Sequence, residues 1–92
     1  MFTLSAKLSF YIPFATSLKD KRQIRKSLID KTRHRYNAAI AEIDTMDVMQ
    51  VLTLGVAVVS GDGNHRQQQL DEIIRFMERH TDADVTSIDY FS

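Results

Sequence analysis

Phe2-Thr3-Leu4-Ser5-Ala6-Lys7-Leu8-Ser9-Phe10-Tyr11-Ile12, closed by Pro13, decides the fold of this chain. Apolar residues at every even position, with polar ones mostly between them, give the period of two of a strand with one buried and one open face. Pro13 ends the run, because its ring removes a ladder donor, and the Ala15-Thr16-Ser17 that follows suits a short connection. Ser17 then reads as a helix N-cap, with Asp20 in a capping-box-like position at the positive end of the helix.

Working outward, the helix runs from about 18 to 36. At 100° per residue, Leu18, Ile24, Leu28, Ile29, Thr32 and Tyr36 fall in one arc, the expected core face. Lys19, Arg22, Lys26 and Arg33 share a ridge on the exposed side, flanked by Lys21, Arg25, Lys31 and Arg35. Residues 38–44 read as a second strand, weakened by alanines, and 51–59 as a third with strong β-branched content. Leu70, Ile73, Ile74 and Met77 mark a second amphipathic helix that opens near Asp62 or Asn64 and ends before Thr81, and 85–91 closes the chain as a fourth strand.

Strand, helix, strand, strand, helix, strand makes two right-handed βαβ units joined by a hairpin. The expected class is therefore α+β: one ferredoxin-like βαββαβ domain over residues 1–92, a four-stranded antiparallel sheet with both helices on one face. The first and third strands are central. Their open face would present Thr3, Ser5, Lys7, Ser9, Val51, Thr53, Gly55, Ala57 and Val59.

Charge is distributed unevenly. The chain has no formal net charge, yet eight of its twelve Lys and Arg lie between Ser17 and Tyr36, against only Asp20 and Asp30 there. Residues 37–92 carry ten acids and three bases, so the pole that could meet an anionic partner is the first helix.

Other function classes are excluded by what the sequence lacks. Without cysteine it has no disulfide, thiolate nucleophile or sulfur-rich metal site. His34, His65 and His80 are 31 and 15 residues apart with no ligand at i+4, which argues against a metal centre. The alternating start is unlike a signal peptide, and no apolar run approaches the roughly 18 residues of a membrane span, so a cytoplasmic protein with no membrane partner is expected. Ser60-Gly61-Asp62-Gly63-Asn64 lacks the spacing and Lys of a phosphate loop and reads as a turn with an N-cap. Glu42 and Asp44 share a strand face but have no nucleophile beside them, and read as an acidic sheet edge. No catalytic residue or cofactor is expected, and the protein is read as not an enzyme.

Ser17-Leu18-Lys19-Asp20-Lys21-Arg22, Tyr36-Asn37, Ala41-Glu42-Ile43-Asp44, Asp47 with Gln50, and Leu54-Gly55-Val56-Ala57-Val58-Val59-Ser60 resemble, in register over essentially the whole chain, the small bacterial YlxP-like family. The resemblance implies a ferredoxin-like fold and a domain of unknown function. The family's genes often lie among those for translation and ribosome-maturation factors, which implies an association with that machinery. Met49 stands where the family usually has Trp, and Val51 where it often has a basic residue, which alters whatever the hairpin contacts.

Two partner classes follow. In the first, Lys19, Arg22, Lys26 and Arg33 contact phosphates of ribosomal RNA or of the ribosome. Base stacking on the sheet is disfavoured, because residues 51–59 hold no aromatic side chain. In the second, the protein is an interaction module: the basic helix meets an acidic protein surface, and the open sheet face, through Val51, Thr53, Ala57 and Val59, supports a homodimer. The hairpin residues Met46, Val48 and Met49 either join that interface or fold back over their own core.

Overall fold

Leu4, Ala6, Leu8 and Phe10 are buried in β1 (Phe2–Tyr11), and Ile12 joins them just beyond its end, whereas Phe2, the first even position, is 42% exposed at the strand's start. The computed structural model describes residues 1–91. It continues with α1 (Leu18–Arg35), β2 (Ala39–Glu42), β3 (Val51–Ser60), α2 (Arg66–Arg79) and β4 (Asp84–Phe91). All four strands form one antiparallel sheet in the order β2-β3-β1-β4, the ferredoxin-like arrangement.

The core lies between one sheet face and the two helices. Leu52, Leu54, Val56 and Val58 of β3 complete the apolar layer of β1, while Leu28 of α1 and Leu70, Ile73, Ile74 and Met77 of α2 pack onto it. Ile24, Ile29 and Tyr36 lie at the margin of this core, as their arc predicts. Leu18 does not: at the first turn of α1 it is 39% exposed.

Several boundaries move. β2 is only four residues long, because at Asp44 the backbone adopts a left-handed φ of 61° and leaves the ladder. α2 starts at Arg66, later than expected, because residues 60–64 spend their polar groups on a turn: Asp62 Oδ1 accepts from the Asn64 amide and Ser60 Oγ from the Asp62 amide. Ser17 caps α1 as predicted, accepting from the Asp20 amide at 3.0 Å. The reciprocal bond goes one residue further back: Asp20 Oδ2 accepts from the Thr16 amide and hydroxyl, and the Thr16 hydroxyl above all holds the Asp20 carboxyl below its ordinary range. No described helix is long and apolar enough to cross a membrane.

Candidate functional site

Three of the four predicted ridge residues, Lys19, Arg22 and Lys26, are exposed along α1, and none forms an ion pair among the described residues. Their spacing of three and four residues keeps them on one side of the helix over about 10 Å of axis. Arg33 ends the ridge. It is exposed like the other three, but its Nη2 donates to the Ile40 carbonyl at 2.6 Å, so the guanidinium reaches across to β2 while keeping its charge. Lys31 and Arg35 are also exposed and without a carboxylate partner, although by helical projection they leave on the other flank.

Two basic residues expected to flank the ridge are withdrawn from it. Lys21 is 2% exposed, and its ammonium donates to the Thr45 carbonyl at 2.5 Å and the Val48 carbonyl at 2.7 Å. Its Nζ also stands 2.9 Å from Glu42 Oε2, at an angle that makes this a charge contact and not a well-formed hydrogen bond. Arg25 donates from Nη1 to the other oxygen, Glu42 Oε1, at 2.8 Å. Burial pushes the Glu42 carboxyl up, but the close ammonium of Lys21 and the hydrogen bond and charge of Arg25 prevail, and it titrates below the ordinary carboxylate range. Glu42 is thus no acidic sheet edge: it turns inward as the counter-charge of α1, while Asp44 turns to the opposite face and pairs with Lys7 at 3.1 Å. The signal for Lys21 was present in the helix period. It projects within about 20° of Leu28 and Thr32, the two other residues of α1 that are fully buried.

Lys21 thereby fastens the connection between β2 and β3. That connection divides the open sheet face. Thr45 lies over β3, its hydroxyl donating to Thr53 Oγ1 at 2.8 Å, and Thr53 in turn lies 3.3 Å from Ser9 Oγ. Ile43 covers Gly55, where an added Cβ would come within 3.4 Å of Ile43 Cδ1. Of the four predicted interface residues, Thr53 is therefore buried and Val51 half-buried, whereas Ala57 is half-buried and Val59 is 62% exposed. Met46, Val48 and Met49 do not join the core but stay partly exposed on the fastened connection, Met46 most of all, in a pocket shared with Leu18. The uncovered end of the face is wider than expected, since Ala39 and Ala41 of β2 and Phe91 of β4 join Ala57 and Val59 there.

The histidines take structural places. His80 stacks on Phe76 with ring centroids 4.0 Å apart and its Nδ1 lies 2.9 Å from the Phe76 carbonyl, while His65 lies 3.4 Å from Asp62. Among the described residues no group of three His, Asp or Glu side chains gathers as metal ligands would.

A four-stranded α+β domain with one unpaired cationic helix face and one half-covered sheet face is what the chain defines structurally. It belongs to the family described as protein of unknown function (DUF503), whose model matches residues 3–90. It is also 28% identical over 72 residues, 78% of each chain, to the uncharacterized protein YlxP of Bacillus subtilis (strain 168).

Proposed function

We propose that this protein is a non-enzymatic accessory protein that binds structured RNA, in the ribosome or in its precursors, by laying Lys19, Arg22 and Lys26 of α1, with Arg33, along the phosphate backbone. The carrying observation is that these cations have no carboxylate partner among the described residues, although the domain elsewhere has acids to spare and does use Glu42 to pair Lys21 and Arg25. Unpaired Lys and Arg on one helix face release counterions from a nucleic acid and position it without reading sequence. The gene neighbourhood implied by the family resemblance points to ribosomal RNA, and such a partner places the protein in the cytoplasm.

Sedimentation with ribosomal subunits tests this reading. At low salt the wild type should travel with subunits and leave them as salt rises, and Lys19→Glu with Lys26→Glu should abolish retention. Retention that is indifferent to salt and to that double variant would overturn it.

A second reading has its own observation. Phe91, 52% exposed, shares the uncovered half of the sheet with the small residues Ala39, Ala41 and Ala57, and Val59, 62% exposed, follows Ala57 by two residues on the same strand. Such a surface favours association with a second copy of the chain, through Ala57 and Val59 and without Val51 and Thr53.

A further inference from the structure

Resting on that self-association reading, we infer that two copies pack sheet to sheet about a two-fold axis parallel to the strands, so that Phe91 of each copy seats over Ala39 and Ala41 of the other. The cross-strand registers carry the argument. Phe91 pairs with Ser5, Ser5 with Ala57, and Ala57 with Ala39, so one row across the sheet runs from its largest open-face residue at the β4 edge to a small one at the β2 edge. Rotation about an axis between β1 and β3 exchanges the edges and keeps the row in place. It sets Phe91 over Ala39, and Ser5 over Ala57.

The neighbouring row behaves in the same way. Asp89 pairs with Lys7, Lys7 with Gly55, and Gly55 with Ala41, so the same turn places Asp89 over Ala41, while Lys7 comes to the Ile43 side chain that covers Gly55. At the edge a longer side chain again meets a short one. Ala39, Ala41 and Ala57 floor a groove of about 570 Å³, walled by Ile43, Asp44 and the chain's own Phe91, into which the other copy's ring fits. Charge agrees with size. Lys7 is already neutralised by Asp44 at 3.1 Å, and Arg33, which lines the same groove, stands where Asp89 of the other copy arrives. A copy turned about an axis across the strands would instead set β2 on β2, leaving the Ala floor unfilled and Asp89 near its own mate.

Strand and residue spacings give the uncovered patch a footprint of roughly 350 Å² per copy, under half of a standard interface, so the pair is weak and is best trapped covalently. The chain has no cysteine, which leaves introduced thiols without competitors. Positions 39 and 91 lie on opposite edges of one chain, about 14 Å apart, beyond the roughly 7 Å reach of a disulfide. The double variant Phe91→Cys with Ala39→Cys, oxidised mildly, should therefore form a covalent dimer with 91-to-39 bridges, at least about tenfold faster than either single variant, and adding Ala41→Trp should suppress trapping. Bridges of 91 to 91 or 39 to 39, with wild type still dimerising in sedimentation, would overturn this arrangement and leave self-association standing. Wild type that stays monomeric at high micromolar concentration, with no trapping of the variant, would overturn both.

Discussion

Lys21 Nζ lies 2.9 Å from Glu42 Oε2 with both side chains withdrawn from water, and this contact ties the first turns of α1 to the end of β2. Because the same ammonium donates to the Thr45 and Val48 carbonyls, one lysine sets the path of the connection to β3. It also divides the basic helix. Lys21 and Arg25 serve the fold, and Lys19, Arg22 and Lys26 are left without a carboxylate partner among the described residues.

Removing one member of a buried pair strands the other. Lys21→Met should lower unfolding free energy by about 3 kcal/mol, since it leaves two carbonyls and much of a carboxylate charge uncompensated. Lys21→Met with Glu42→Leu should cost clearly less than the two single changes added together. Urea denaturation of the three variants checks this; strict additivity would mean that the contact is not energetically coupled.

The Glu42 carboxyl titrates lower in the folded protein than in the unfolded chain, the Lys21 and Arg25 contacts outweighing the effect of burial. A lowered folded value stabilises above the unfolded value, and that contribution is lost as pH falls through the folded one. Stability should therefore drop below the ordinary carboxylate range more steeply in the wild type than in Glu42→Gln, measured by denaturation between pH 6 and pH 3. Parallel pH profiles would contradict the assignment.

Thr53 Oγ1 accepts the Thr45 hydroxyl at 2.8 Å beneath the connection. Thr53→Val keeps the shape and removes this bond, so it should cost about 1 kcal/mol and raise hydrogen exchange in residues 43–50 while β1 and β3 stay protected. Unchanged exchange there would show that this hydroxyl bond does not hold the connection.

Arg25 and Lys26 are neighbours in sequence with different tasks. Arg25→Gln should weaken the fold modestly yet leave RNA affinity within about twofold, whereas Lys26→Gln should reduce the salt slope of binding by about one charge and spare stability. Equal effects on RNA binding would mean that the pairing with Glu42 does not withdraw Arg25 from the ridge.

The fold was legible because β1 and α2 obey their periods without conflict, and the connections are short. The chemistry of α1 was legible only in part. A lysine is discounted from a core by its charge, so Lys21 reads as a flank of the ridge near the core boundary although its angle matches Leu28 and Thr32; only Glu42, distant in sequence, makes its burial tolerable. The half-covered sheet face was hidden for a related reason: strand alternation says which side Thr53 faces, but not that Asp44 leaves the ladder and carries Thr45 across it. Ala39 and Ala41, weak strand formers, gave no hint that they floor a groove.

The salt dependence of RNA affinity for wild type and for Lys19→Gln with Arg22→Gln and Lys26→Gln tests the central claim most directly. Phosphate contact through this face predicts that log K falls linearly with log salt, and that the triple variant loses about two to three units of that slope at unchanged fold stability. A wild-type affinity insensitive to salt, or a triple variant with the wild-type slope, would contradict it.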